Sequence, residues 1–285
     1  MKLHPLRRIR KHIKSNKKRY LVLVLILLLF MWSVQKFGEW GASRLECTET
    51  EIAADNTPGI GPLKIALISD VHANSELFTQ AVDMIQEAKP DLIVFCGDLV
   101  YAEQRFMRTK WAIDGFRKLK NTAPTFAVLG NHDYEKQEQV ERVFQTAGIP
   151  LLRNQAVAWT APNGKKILIV GLGDYNEGDE APSSCLPAKG ATETPVLLLS
   201  HDPESRHLLR DYEWDIMLSG HTHGGQLGNP FTGNHISFRS DMPSGLYTEE
   251  DGRKVFVTRG IGSIMNMRFF CRPEVSILHL KDTSK

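Results

Sequence analysis

Five short apolar segments of this chain run directly into Asp, Asn or His side chains, with at most one glycine between. Each segment has the length and apolar content of a buried strand. Because ligands of open α/β sheets bind beyond the carboxyl ends of the strands, polar residues at these junctions are candidates for one shared site. The five junctions are LKIALIS before Asp70-Val71-His72, DLIVFC before Gly97-Asp98, PTFAVL before Gly130-Asn131-His132-Asp133, PVLLLS before His201-Asp202, and WDIMLS before Gly220-His221-Thr222-His223.

The segments between these junctions predict helices and further strands. Apolar residues at helical spacing predict amphipathic helices over 75–89, 104–120 and 136–147. Strands that alternate with helices at this short spacing form parallel sheets with helices on their faces, so the predicted fold class is α/β. Two long polar stretches, 174–194 and 224–245, are predicted as loops long enough to shape a site. Strands are predicted at 63–69, 91–96, 124–129, 151–160, 165–171, 195–200, 214–219, 254–259 and 274–280.

The N-terminal part of the chain has the pattern of a membrane anchor. Residues 1–19 contain nine Lys or Arg and no Asp or Glu, and the apolar run YLVLVLILLLFMWSV follows at 20–34. Extended to Trp40, the run reaches the length of about 20 residues that a bilayer core requires. The positive-inside rule then places residues 1–19 in the cytoplasm and the residues after the anchor on the far side of the membrane.

Two alternatives to a retained, spanning anchor stay open. The small residues Gly41-Ala42-Ser43 could form the cleavage site of a signal peptide, although the basic and apolar regions are both long for one. A short or slanted segment could also dip into the inner leaflet and leave the main domain in the cytoplasm. Pro and Gly residues predict a linker over 41–62, between an anchor at 20–40 and the main domain at 63–285.

The charge and cysteine content exclude several classes of protein. Beyond residue 19 the chain is acidic, with 26 basic and 33 acidic side chains. A surface that binds DNA or RNA needs clustered positive charge, so we expect no nucleic-acid partner. The four cysteines form no C-x-x-C pair, which excludes a zinc ribbon and a disulfide-rich scaffold.

The side chains at the five junctions are of the types that bind metal ions. Carboxylate, amide oxygen and imidazole suit Mn²⁺, Fe or Zn²⁺ rather than a soft metal that prefers thiolate. In an extended chain, Asp70 and His72 face the same way, as do His221 and His223. The pattern therefore predicts a metal site at this edge of the sheet and leaves the choice among these metals open.

Taken in order, the motifs D-x-H, G-D, G-N-H-D, a single His and G-H-x-H resemble those of the calcineurin-like metallophosphoesterases. The segments 220–226, 258–260 and 271–274 are further similar to a bacterial, membrane-associated branch of YaeI-like and YkuE-like phosphodiesterases. The resemblance implies a four-layered αββα sandwich, preceded here by the transmembrane helix. Together with the predicted anchor, the resemblance to a bacterial branch implies a single-pass protein of the bacterial inner membrane, and the positive-inside rule then places its catalytic domain in the periplasm or otherwise outside the cytoplasm.

The resemblance further implies a centre of two divalent metal ions, with Mn²⁺ expected and Zn²⁺ or Fe as alternatives, and hydrolysis of a phosphodiester by a metal-bound hydroxide. Asp98 would bridge the two ions, and a carboxylate suits that position because it screens two dications from each other. His132 would be the catalytic residue that faces the phosphoryl group as an acid or charge stabiliser. The implied ligands are Asp70, His72, Asp98 and His223 for one ion, and Asp98, Asn131, His201 and His221 for the other.

One position departs from the family pattern. Many relatives carry an Asp three residues after the aspartate of the G-D motif, where it steadies the histidine of G-N-H, and this chain has Tyr101 there. We therefore expect His132 to be oriented by another group or to be protonated less readily. In either case, esters with good leaving groups should be hydrolysed preferentially.

The alternative function is that of a membrane-anchored pyrophosphatase acting on a nucleotide-linked lipid such as UDP-2,3-diacylglucosamine. The expected partners are therefore a small phosphodiester or lipid-linked phosphate, and the lipid bilayer. A scaffold without activity is disfavoured, because all seven ligand positions hold metal-binding residue types. Met265, Met267, Phe269 and Phe270 are interpreted as core residues, but beside an anchor they would also suit a lipid substrate.

Further polar residues near the motifs receive structural interpretations. Asp133 is interpreted as the cap of the helix that follows it. Asp202 is interpreted as a turn residue, with support of an imidazole ligand as the alternative. Arg239, Arg259 and Arg268 are interpreted as solvated surface side chains, with a contact to phosphate as the alternative.

Overall fold

The computed structural model describes residues 16–53, 60–101, 108–238 and 240–281. Parts of the predictions lie outside the described residues: most of the basic segment, part of the linker, the start of the second helix, and Arg239. The strands are β1 (Glu46–Ala53), β2 (Leu63–Ile68), β3 (Leu92–Cys96), β4 (Thr125–Val128), β5 (Gln155–Thr160), β6 (Lys166–Gly171), β7 (Val196–Leu199), β8 (Ile216–Ser219), β9 (Gly245–Thr248), β10 (Lys254–Val257) and β11 (Glu274–Lys281). The α-helices are α1 (Lys17–Ala42), α2 (Ser75–Ala88), α3 (Lys110–Thr122), α4 (Asn131–Tyr134), α5 (Gln137–Ala147) and α6 (Pro182–Cys185), with 3₁₀ turns at Pro203–Leu208, His223–Gln226 and Ile264–Asn266.

The strands form two sheets packed face to face around a shared core. The first sheet has the order β1-β11-β2-β3-β4, and β2, β3 and β4 are parallel to one another. The second sheet has the order β5-β6-β7-β8-β10-β9, and β6, β7, β8 and β10 are parallel. The α/β class, predicted from the pattern of strands and helices, and the sandwich of two central sheets, implied by the family resemblance, are confirmed.

The alternation of side chains along β2 shows how one strand serves two layers. Ile65 and Leu67 point into the core between the sheets, where they pack with residues such as Leu199 of the second sheet. Ala66 and Ile68 point to the opposite face, against the apolar faces of α2, α3 and α5. Full burial of an aliphatic side chain of this size contributes about 1.5–3 kcal/mol to folding, so both faces hold the strand in register.

The outer face of the second sheet is covered by turns rather than by long helices. Leu198, Met217 and Val255 of its strands pack there against Leu209 and Trp214. Both of these covering residues belong to the irregular segment between β7 and β8. The fourth layer of the sandwich is therefore short and irregular on this side.

Residues 46–53 belong to the predicted linker, and for these residues the prediction is wrong. They form β1, which pairs in parallel with β11 over its whole length. The composition misled because β1 is an edge strand whose side chains are exposed or half-buried, apart from Ile52. Main-chain bonds to β11 and cross-strand ion pairs, such as Lys281 to Glu51 at 3.0 Å, stabilise it in place of apolar packing.

Helix α1 is, in the described part of the chain, the one helix long and apolar enough to cross a membrane. Its 26 residues extend about 39 Å. The apolar side chains from Leu21 to Trp32 are all more than half exposed, as expected of a helix that is apolar on every face and surrounded by lipid. Its last turns instead bury Gly38, Gly41 and Ala42 against the domain.

Candidate metal centre

The carboxyl ends of β2, β3, β4, β7 and β8 bring the polar residues of the five junctions together at one edge of the sandwich. Several of these residues have a left-handed backbone, with φ of 54° at Asp70, 58° at Asp98 and 67° at His221. This conformation costs a residue other than glycine about 1–2 kcal/mol. Strain of this kind persists only where the surrounding structure enforces it, and it concentrates at functional sites.

Asp70, His72 and His223 form a first group of buried side chains that could hold a metal ion. His72 Nε2 lies 3.0 Å from His223 Nε2. Asp70 Oδ1 lies 3.4 Å from His223 Nε2 and 3.8 Å from His72 Nε2, and has no hydrogen-bond partner among the described residues. A buried carboxylate oxygen that lacks a donor and faces two imidazole nitrogens is an arrangement that a cation would complete.

His201, His221 and Asn131 converge beside Asp98 to form a second group. His201 Nε2 lies 3.3 Å from Asp98 Oδ2 and 3.2 Å from His221 Nδ1. His221 Nδ1 in turn lies 3.1 Å from Asn131 Oδ1. The four residues predicted as ligands of the second ion are thus brought together by the fold.

Asp98 lies between the two groups. Its Oδ2 atom is 3.3 Å from His201 Nε2 and 3.7 Å from His72 Nε2, so one carboxylate oxygen faces a candidate ligand of each ion. Its Oδ1 atom accepts the main-chain N–H of His132 at 2.9 Å. Asp70 also lies within reach of Asp98 and His201, so two carboxylates lie close to the shared position.

Main-chain carbonyl groups hold two of the imidazoles in orientations suited to metal binding. His72 Nδ1 lies 3.3 Å from Val100 O, and His201 Nδ1 lies 2.7 Å from Cys96 O. A carbonyl oxygen only accepts hydrogen bonds, so each Nδ1 carries a proton and donates it. The Nε2 atoms of both rings are thereby directed at the candidate centre.

Burial and neighbouring charges set the protonation of these groups in the metal-free protein. Burial opposes the ionisation of Asp98, but His201 and His72 outweigh it and hold the pKa of Asp98 well below its usual value. Burial also opposes the charged form of His201, yet Asp98 and Asp70 raise the pKa of His201 well above its usual value. Burial lowers the pKa of His223 to about 3 and lowers that of His72 as well. Apart from the proton on His201, these groups already have the charge states that divalent cations require, so the donor set fits two such ions.

Asp133 connects two loops at the site and does not cap the helix that follows it. Its buried carboxylate accepts main-chain N–H groups from Gly130 at 3.1 Å, Asp98 at 2.9 Å and Val100 at 3.2 Å. The interpretation of Asp133 as the cap of the following helix is wrong, because α5 begins at Gln137 without a side-chain cap and the bond to Gly130 lies at the start of α4, which contains Asp133. The other two bonds join the loop after β4 to the loop after β3. Asp133 therefore holds the backbone of Asp98, a role that sequence spacing could not reveal because its partners are main-chain groups more than thirty residues away.

Two arginines interpreted as solvated are buried, and that interpretation is wrong for both. Arg259 is 8% exposed and pairs with Glu274 and, at 2.9 Å, with Glu46. Arg268 is fully buried; its Nη2 donates to Arg259 O at 2.7 Å and lies 3.3 Å from His223 Nδ1, and its Nη1 donates to His223 O at 3.3 Å. Arg268 thus contacts a candidate ligand from the side away from the centre.

His132 lies beside the first group and lines the cavity in front of it. Its ring centroid is 5.2 Å from that of His72 and 5.0 Å from that of Tyr101. The contact with Tyr101 is between rings, whereas an Asp, which the family resemblance implies for this position, would offer an ionic hydrogen bond. The preference for good leaving groups, predicted from this difference, stays a prediction.

A cavity of about 800 Å³ opens in front of the candidate centre. It is large enough for a nucleotide or a lipid headgroup. Asp202 lines it, accepts a hydrogen bond from Asn176 Nδ2 at 2.8 Å and lies 3.6 Å from His221 Nε2, in agreement with its alternative interpretation as a support for an imidazole. Both predicted loops contribute to the wall, which includes Asp98, Asn131, His132, Tyr175, Asn176, His221, His223, Phe238 and Ile264.

Comparison with known proteins agrees with the motifs and the fold. Residues 63–225 match the model of the calcineurin-like phosphoesterase family. The chain is 37% identical over 229 residues to phosphodiesterase YaeI of Escherichia coli K12, covering 77% of this chain and 82% of YaeI. It is 32% identical over 251 residues to the uncharacterized metallophosphoesterase YkuE of Bacillus subtilis 168, covering 84% of this chain and 87% of YkuE. It is 27% identical over 281 residues to the UDP-2,3-diacylglucosamine pyrophosphatase LpxG of Chlamydia muridarum, covering 76% of this chain and 83% of LpxG.

Proposed function

The chain belongs to the calcineurin-like phosphoesterase family and is a phosphoester-hydrolysing enzyme, and from this premise we propose that it cleaves phosphodiesters with two divalent metal ions. The observation that carries the proposal is the position of Asp98 Oδ2, 3.3 Å from His201 Nε2 and 3.7 Å from His72 Nε2. A carboxylate oxygen that faces a candidate ligand of each ion is suited to be shared by both. The preference for diesters is supported by the similarity to YaeI.

We assign the seven ligands as the motifs imply, with Asp98 shared and Mn²⁺ as the expected ion. When bound, the two ions would neutralise charge on the phosphoryl oxygens and supply a nucleophile from water at neutral pH. The side chains of the protein would hold the ions, orient the substrate and transfer the proton. The ligands of the first ion are Asp70, His72, Asp98 and His223, and those of the second are Asp98, Asn131, His201 and His221.

His132 is the proposed catalytic residue. Its side chain lines the cavity beside the first group, where an imidazole N–H can donate to a phosphoryl oxygen or pass its proton to the departing alkoxide. Its main-chain N–H is bound by Asp98 Oδ1 at 2.9 Å, so the shared carboxylate also sets the position of this histidine. Asp133 holds the backbone of Asp98 and thereby keeps the two aligned.

Helix α1 is the candidate for a membrane anchor. We propose that it spans the bacterial inner membrane, with residues 1–19 in the cytoplasm and the catalytic domain, 63–285 together with β1, on the periplasmic side. The nine basic residues before the apolar run support this orientation, because Lys and Arg are enriched on the cytoplasmic side of a membrane span.

Purified full-length protein is expected to hydrolyse bis-p-nitrophenyl phosphate faster than p-nitrophenyl phosphate, and only when Mn²⁺ or another divalent ion is present. Asn131→Ala should reduce diester turnover about 100-fold, because a ligand of one ion supports about 3 kcal/mol of transition-state stabilisation. Asn163→Ala is the matched control, since the Asn163 amide donates to Gly61 O in a turn outside the cavity wall. Failure of metal-loaded protein to cleave either ester would contradict the proposal.

The effect of His132→Ala is expected to depend on the leaving group. A phenolate needs a proton more than a p-nitrophenolate does, so kcat/KM should fall about 100-fold for diphenyl phosphate and less than about tenfold for bis-p-nitrophenyl phosphate. Kinetics of both esters at one pH, with metal content measured in parallel, test this expectation. Equal losses for the two esters would rule out an acid role for His132.

A second candidate function is the cleavage of a nucleotide-linked lipid such as UDP-2,3-diacylglucosamine. It is favoured by the apolar helix α1 and by the 27% identity to LpxG. The same centre would serve, because a pyrophosphate is also attacked at phosphorus. The test is the release of uridine monophosphate from this lipid in detergent micelles. If the protein releases it but does not cleave simple diesters, this function is favoured over the first.

A further inference from the structure

Exposed apolar side chains lie on two loops that are joined to each other beside the cavity. Phe231 and Phe238 in the loop 227–238 are 94% and 95% exposed, and Met265 and Phe270 in the loop 264–270 are 77% and 53% exposed. The interpretation of Met265 and Phe270 as core residues is therefore wrong. Large apolar side chains grouped on a surface mark an interaction site. These four residues are called the apolar rim below.

The end of α1 is joined directly to this rim. Arg268 N donates to Gly38 O at 3.0 Å, and the ring centroids of Phe37 and Phe270 lie 5.3 Å apart. A Cβ atom on Gly41 would lie 2.2 Å from Arg268 O, so the helix and the loop approach each other through their main chains. The catalytic domain is thus seated on the helix end instead of being tethered at a distance.

The loop 264–270 continues along the apolar part of the helix. An open groove between them is lined by Leu28 and Met31 of α1 and by Met265 and Met267 of the loop. Leu28 precedes Gly38 by ten residues, or about 15 Å along the helix axis. The tip of the loop therefore lies beside a section of α1 that would be in contact with lipid acyl chains.

The rim also reaches the cavity. Gly228 N donates to Phe269 O at 2.7 Å, which joins the loop 227–238 to the loop 264–270. Phe238 and Ile264, one from each loop, form part of the cavity wall in front of the candidate centre. Any surface that covers the rim would therefore also lie against the mouth of the cavity.

We propose that the apolar rim inserts into the leaflet that the C-terminal end of α1 crosses, and so seats the mouth of the cavity at the level of the lipid headgroups. The bilayer is the occupant because the groove is continuous with the lipid-exposed face of α1. The proposal rests on the proposed function and on a spanning α1. It narrows the substrate class to phosphodiesters or lipid-linked phosphates carried by the membrane itself.

Site-specific labels in the full-length protein test the depth of the rim. Cys47 and Cys185 are replaced by Ser, which leaves the buried Cys96 and Cys271. Single cysteines introduced as F231C or M265C carry an NBD fluorophore, in vesicles of phosphatidylcholine and phosphatidylglycerol with or without nitroxide-labelled lipid. The references are L27C inside α1 and L208C, whose native leucine is 51% exposed in a turn over the second sheet.

We expect the labels at 231 and 265 to show blue-shifted emission and loss of fluorescence with nitroxide lipid, like the label at 27, while the label at 208 behaves as in water. Labels at 231 and 265 that match 208 would overturn the proposal. So would labels shielded from water but not quenched by nitroxide lipid, because a second copy of the protein would then cover the rim. If nitroxide lipid did not quench the label at 27, α1 would not span the bilayer, and the proposal would be overturned. Turnover of bis-p-nitrophenyl phosphate by the unlabelled protein tests the proposed function separately, because this substrate reaches the cavity from water.

Discussion

Replacement of Asp98 by Asn is expected to reduce kcat/KM for a phosphodiester about 1000-fold or more. The substitution removes the negative charge that faces candidate ligands of both ions, and a loss of about 4 kcal/mol in transition-state stabilisation corresponds to that factor. The amide keeps the size of the side chain and can still accept the main-chain N–H of His132. Steady-state kinetics and elemental analysis of bound metal on the same preparation measure the effect.

The control for this variant is Asp114→Asn. Asp114 is an exposed carboxylate on α3 that pairs with Lys110 at 2.6 Å. Its loss should leave activity and metal content unchanged, since a surface ion pair of this kind contributes about 0–1 kcal/mol. If Asp98→Asn kept two bound ions and lost less than about tenfold in kcat/KM, the shared role of Asp98 would be refuted.

The parallel part of the fold was predictable because its strands are buried on both faces. LKIALIS and DLIVFC are continuous apolar runs that end in turn signals, and they form β2 and β3 within about one residue of the predicted ends. β1 was missed because an edge strand need bury few side chains, and ECTETEIA buries only Ile52. Its partner β11 lies more than two hundred residues along the chain, so local composition carries no sign of the pairing.

The convergence of the junction residues at one edge of the sandwich was predictable, whereas the contacts that support these residues were not. The junction motifs place Asp70, Asp98 and His201 at strand ends, and parallel strands bring such ends to one edge. The bonds from Asp133 to the loop after β3, and from Arg268 to His223, involve partners distant in sequence. Several of these bonds join a side chain to a main-chain group. Because every residue carries main-chain groups, the sequence shows no residue type that marks such a partner.

The loops after β3, β4 and β7 meet at Gly97, so replacement of this residue is expected to lower both stability and activity strongly. Gly97 has φ of +86°, and a Cβ atom there would lie 2.5 Å from Gly130 N and 2.7 Å from His201 Nδ1. Gly97→Ala would add left-handed strain of about 1–2 kcal/mol and overpacking of about 1–3 kcal/mol, so the free energy of unfolding should fall by about 2–5 kcal/mol. The same clash would displace His201 from Asp98, and activity should fall in the molecules that remain folded.

Gly164→Ala separates the effect of left-handed backbone strain from the effect of overpacking. Gly164 has a similar φ of +81°, but among the described residues no atom outside its two chain neighbours lies within 4 Å of the position a Cβ would take. Its substitution should therefore cost only the strain of about 1–2 kcal/mol and leave diester turnover unchanged. Denaturant unfolding of both variants in detergent, with turnover measured before unfolding, isolates the contribution of the close approach. Equal destabilisation of the two variants, with activity retained in Gly97→Ala, would mean that the three loops tolerate a wider separation and that glycine at 97 serves the backbone turn alone.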